Sequence, residues 1–178
     1  MRGLQAIGMG LVLVALRVGE PDLLPDPVGW LLVLVGVRRL PRDLPRRTGL
    51  LVLGSLALAV SVPLWVPSLA DHVLTAHPSL QWALNLPQLG FVLVLAASLG
   101  RRAGEAGDRG ARSWWLVVAA GTAAAAVLPV LVHGGGVDAL GTPSIVLAGV
   151  VLLTTIALAF THAGRPWIRS ETTDAAGP

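Results

Sequence analysis

Six apolar stretches, residues 3–18, 21–37, 48–66, 80–99, 113–132 and 143–160, alternate along the chain with short connections rich in Pro, Gly and Arg. Runs of about 16 to 20 apolar residues are what hydrocarbon-spanning helices require. The pattern therefore predicts an all-α polytopic membrane bundle of about six short transmembrane helices. Residues 1–162 form that single domain, and residues 163–178 form a polar cytoplasmic tail.

Arginine orients the chain. With a cytoplasmic amino terminus and alternating spans, the 38–47 and 101–112 connections and the tail all fall inside, where Arg and Lys accumulate. Every arginine except Arg17 then lies on that side, including Arg38, Arg39, Arg42, Arg46, Arg47, Arg101 and Arg102. The opposite connections carry Glu20, Asp22, Asp26, Asp71 and Asp138. Both termini are thus expected in the cytoplasm, with the arginine clusters setting topology and touching anionic lipid headgroups. Tryptophan supports the same boundaries: Trp65, Trp82, Trp114, Trp115 and Trp167 all fall at the ends of apolar segments, where interfacial rings sit. Trp30, inside the second segment, is the exception. Small residues four apart, Ala6 with Gly10, Ser55 with Ala59 and Ala120 with Ala124, share a helix face and allow close approach of another helix.

The first two segments are short. A helix over 3–18 would rise roughly 24 Å and one over 27–37 about 16 Å, against a hydrocarbon core of ~30 Å. Pro21, Pro25 and Pro27 interrupt helical hydrogen bonding at the entrance to the second. The alternative architecture is four full spans plus a re-entrant first hairpin. Asp26 followed by Pro27 has the chemistry of a helix start, a side-chain acceptor followed by a residue that needs no donor. The run Leu23-Leu24-Pro25-Asp26-Pro27-Val28-Gly29-Trp30-Leu31-Leu32, continuing through Gly36 to Arg38, resembles a segment of small uncharacterised bacterial multi-pass membrane proteins. Their pattern is Leu-Leu-Pro-Asp-x-x-Gly-aromatic-x-Leu, with Tyr more usual where Trp30 stands. The resemblance implies a bacterial membrane protein and carries no mechanism with it.

Candidate chemistry is sparse. Asp22 and Asp26 lie beside irregular backbone, a setting that in membrane proteins marks ligand or proton sites. Gln81, Asn85 and Gln88 share one face of the fourth segment, next to Pro87, which is expected to kink it. Asp71, His72, His77 and His133 lack metal-ligand spacing, so no metal and no cofactor is expected. No phosphate loop, nucleophile elbow or His-Glu-x-x-His pair occurs, which argues against an enzyme.

Composition agrees with burial in lipid. Of the 178 residues 54% are hydrophobic and 13% charged, where soluble domains carry about 25% charge. The mean hydropathy is +0.73. All 13 basic residues are arginines and the net charge is +3, with no tyrosine and two phenylalanines. That pattern lacks the stacking platform of a nucleic-acid binder. The absence of cysteine excludes thiol chemistry and disulfides. Arg without Lys, with abundant Ala, Gly, Pro and Val, points to GC-rich coding and a bacterial source.

The expected function is an integral protein of the bacterial inner (plasma) membrane, acting as a structural or interaction module. Its partners would be the lipid bilayer and other membrane proteins or further copies of itself. The alternative is a small oligomeric transporter or channel for a small polar solute or ion, with Asp22, Asp26, Gln81, Asn85 and Gln88 lining an outward recess.

Overall fold

The computed structural model describes residues 2–16, 26–64 and 78–168. Arg17, Glu20, Asp22, Trp65, Asp71, His72, His77 and the end of the tail lie outside the described residues, as do the side chains of His133 and Asp138. The regular structure among the described residues is helical: α1 (Gly3–Ala15), α2 (Asp26–Arg38), α3 (Arg47–Leu64), α4 (Pro78–Glu105), α5 (Arg109–Gly135) and α6 (Gly141–His162). Short 3₁₀ turns occupy Asp138–Leu140 and Pro166–Ile168.

Helices α3 to α6 contain the four segments long and apolar enough to cross a membrane. Their outward faces are apolar: Ile145 is 74% exposed and Leu153 64%, and water would not tolerate such a surface over a whole bundle. The chain is therefore a multi-pass membrane protein with a helical-bundle fold. Helices α1 and α2, 13 residues each, rise only about 20 Å.

Local chemistry sets the helix ends. Helix α2 is described from Asp26 onward, with Pro27 in that first turn. Between α4 and α5 the chain reverses within three residues. Gly107 takes a left-handed φ of +79°, the Asp108 N–H donates to the Ala103 carbonyl at 2.8 Å, and Asp108 Oδ1 accepts from the Ala111 N–H at 3.0 Å. One residue thus ends one helix and caps the next. Pro63, Pro87 and Pro129 lie inside α3, α4 and α5, and α4 continues past Pro87 to Glu105.

Each helix packs on its neighbours in the chain, and α6 returns to α1, so the six close into a ring. Its interior is filled by Ile7, Trp30, Val33, Leu50, Phe91, Leu95 and Trp115. Trp30 is 2% exposed and meets Phe91 edge-on at a ring separation of 5.5 Å. It is a core residue, which explains its place in mid-segment. Trp115, expected at the interface, is also fully buried, while Trp114 faces outward.

The α1–α2 hairpin is held by glycine. Gly10 faces Gly29 and Gly3 faces Gly36 across an antiparallel seam. A methyl group on Gly10 would lie 2.5 Å from the Gly29 carbonyl oxygen, and one on Gly36 would lie 2.7 Å from that of Gly3. Only hydrogen fits between the backbones at these two levels. On its other flank α1 offers Gly8 to the ring of Phe160 in α6. Of the small-residue pairs in the sequence, Ala6 and Gly10 are buried, whereas Ser55, Ala59, Ala120 and Ala124 face outward.

Candidate functional site

At one end of the bundle stand the residues with polar promise in the sequence. Asp26 is partly buried at the start of α2. Trp30 lies one turn further in, against Phe91, and Gln88 lies one turn from Phe91 in the same outward direction, so Asp26 and Gln88 occupy similar depths. Gln81 and Gln88 are half-buried on α4, while Asn85 is exposed. The Asn85 amide donates to the Gln81 carbonyl of its own helix at 2.8 Å, which satisfies it locally. Between these residues Trp82 donates from Nε1 to the Ala126 carbonyl at 2.9 Å, tying α4 to α5.

The opposite end gathers the charges. Arg102 pairs with Asp43 of the α2–α3 connection and donates from Nε to the Trp167 carbonyl at 3.2 Å. Trp167 in turn donates from Nε1 to Asp108 Oδ2 at 3.2 Å, and Arg165 lies 3.8 Å from the same oxygen. The 39–46 connection, the α4–α5 turn and the segment after α6 are thereby joined in one network. Arg2, before α1, lies against Gly164, so both ends of the described chain reach the same end as the arginine clusters.

These partners shift the carboxyls. The Arg102 guanidinium hydrogen-bonded to Asp43 holds that carboxyl below its ordinary range. Asp108 is also lowered, first by the Ala111 N–H and then by the Trp167 indole N–H, with Arg165 adding its charge. Hydrogen bonds to the ionised form are the cause in both cases. Beneath them His162 is buried between Trp115 and Trp167, with ring separations of 5.8 Å to each.

The arginines of the two clusters divide into distinct environments. Arg102 is bound into the network. Arg47 donates to the Arg38 carbonyl at 3.1 Å, bracing the α2–α3 connection. Arg38, Arg39 and Arg42 are exposed. Arg46 and Arg101 border a cavity of about 360 Å³ between that connection and α4, together with Pro45, Ala97 and Ser98. Arg101 gives Nε to Glu105 at 2.8 Å. Arg46 is the one described non-glycine residue with a positive φ, +59°.

The sequence points to the basic clusters but not to this division, because Asp43, Arg102 with Asp108, and Trp167 come from three separate connections. Their charge and aromatic character were visible; their meeting depends on ring closure. Among the described residues no group of three His, Cys, Asp or Glu side chains is placed to hold a metal ion. No protein-family model matches the chain, and no curated protein or solved structure matches it.

Proposed function

We propose that this chain is a structural or interaction module of the bacterial inner membrane, with both termini cytoplasmic and with lipid and other membrane helices as its partners. The observation that carries this reading is a ring of helices closed around a filled apolar core, with apolar outer faces. A packed interior leaves the outer surface as the working surface. Outward-facing Ser55, Ala59, Ala120 and Ala124 support close contact with a further helix, either from a second copy or from another membrane protein. The gathering of the arginine connections, Arg2 and the segment after α6 at one end supports the inside assignment by the positive-inside rule.

The transporter reading draws on Gln81, Gln88 and Asp26 at one end of the bundle. With the core occupied, its pathway would run between copies. Two sets of variants separate the readings. Asp26→Asn and Gln88→Ala are expected to leave accumulation, folding and host phenotype unchanged, while Ala124→Leu disrupts the associated state seen by crosslinking in membranes. Loss of a solute flux in Asp26→Asn or Gln88→Ala, with Ala124→Leu silent, would favour transport instead.

Topology is tested by single cysteines, since the chain has none of its own. Labelling of intact cells with an impermeant thiol reagent is expected for His72→Cys and Asp138→Cys, and not for Arg42→Cys, Ala106→Cys or Thr172→Cys. Asp22→Cys reports the depth of the first hairpin. Its labelling means two crossings, and its protection means a re-entrant hairpin.

A further inference from the structure

The cavity between the α2–α3 connection and α4 has a wall of distinctive chemistry. Two arginines, Arg46 and Arg101, line it together with Pro45, Ala97 and Ser98. Its volume, about 360 Å³, lies at the lower end of the roughly 300–1,000 Å³ usual for small-ligand sites. Ser98 keeps its proton on the Val94 carbonyl at 2.7 Å, so recognition rests on the two arginines.

Both retain binding capacity. Among the described residues the Arg46 guanidinium has no hydrogen bond or ion pair. Arg101 commits Nε to Glu105 in an exposed pair, and exposed pairs of this kind contribute little and yield readily to a better anion. Arg46 is also held in place by its backbone. Its left-handed φ persists because the preceding turn is fixed, with the Leu44 N–H on the Pro41 carbonyl and the Arg47 N–H on the Leu44 carbonyl, and with Leu40 and Leu44 buried. Backbone strain in a non-glycine residue beside a cavity is a reason to look for a ligand.

The chemistry and position define that ligand. Guanidinium matches the paired oxygens of a phosphate in planar, two-pronged fashion. The site lies where α4 approaches its end at Glu105, at the end of the bundle where the connecting segments collect. Basic pockets between helices at this level suit anionic headgroups. We propose that the cavity binds the phosphate of an anionic phospholipid, held between Arg46 and Arg101. The proposal rests on the membrane reading above and adds to it a defined lipid site.

The test uses the purified full chain in vesicles of phosphatidylcholine, alone or with a minority of phosphatidylglycerol carrying a quencher of tryptophan fluorescence. Wild type is expected to enrich phosphatidylglycerol at its surface. Arg46→Gln and Arg101→Gln should each weaken that preference about fivefold, whereas Arg109→Gln, at the start of α5 and outside the cavity lining, should leave it intact. Matching thermal unfolding curves establish that the variants remain folded. Equal preference in all three variants, or none in wild type, would overturn the site. Inorganic phosphate that fails to displace the lipid supports a lipid-held phosphate, and full displacement overturns the lipid assignment in favour of free phosphate. Alkaline carbonate distinguishes the underlying reading: release of the chain from membranes overturns both, whereas retention with no lipid preference overturns the site alone.

Discussion

Asp108 shows how much a single side chain can join. One oxygen caps α5 through the Ala111 N–H and the other receives the Trp167 indole N–H, so the α4–α5 turn and the segment after α6 share an anchor. Asp108→Asn, which keeps a capping oxygen, should lower the melting temperature in detergent less than Asp108→Ala. Acid acts on the same groups. Because the native pKa values of Asp43 and Asp108 are depressed, their stabilisation is complete above the ordinary carboxylate pKa, about 3.9, and is lost as pH falls through the native values. Thermal unfolding should therefore weaken below about pH 4, with a smaller drop in Asp108→Asn; an unchanged drop would place the acid sensitivity elsewhere. Trp30 makes the opposite point about burial. Its position in mid-segment was plain in the sequence, but its edge-on contact with Phe91 was not, since the two meet only across the interior of the closed ring. Trp30→Ala should cost about 3–5 kcal/mol, as large core truncations do.

Among the elements, the long helices were the most legible. Apolar runs at 48–66, 80–99, 113–132 and 143–160 became α3 to α6, and the structure extended several of them into connections where polar residues still have helical backbone. Hydrophobicity marks the hydrocarbon depth of a helix, whereas caps such as Gly107-Asp108 and the left-handed Gly136 mark its ends. The hairpin seam was harder to read. Pairs of small residues four apart stand out in the sequence, but the contacts that bring α1 onto α2 recur after seven residues, Gly3 to Gly10 and Gly29 to Gly36, on two segments at once. Gly10→Ala should destabilise the bundle by about 1–3 kcal/mol, because its methyl meets backbone rather than a movable side chain. Gly149→Ala, with nothing within 4 Å of the added carbon, should be neutral or stabilise by up to about 1 kcal/mol. Unfolding of both variants in detergent compares them directly; equal losses would remove the seam as the cause.

At the level of the whole molecule, polarity is divided between the two ends and apolarity covers the sides. The arginine asymmetry was readable because topology acts on each connection separately. The network of Asp43, Arg102, Trp167 and Asp108 was not, because it needs three connections at once. The candidate polar residues were visible in the same partial way: Gln81, Asn85 and Gln88 share a helix face, but the pattern does not show that the Asn85 amide donates to the Gln81 carbonyl one turn back. Ring closure has a further consequence for chain connectivity. Since α1 lies beside α6 and Arg2 reaches Gly164, a short linker joining Arg2 directly to Ile168 would allow the polypeptide to be reopened at Gly107. Such a circular permutant would start with α5 and finish with α4, present its new ends on the face that held the old ones, and preserve every helix-to-helix neighbour except the severed turn.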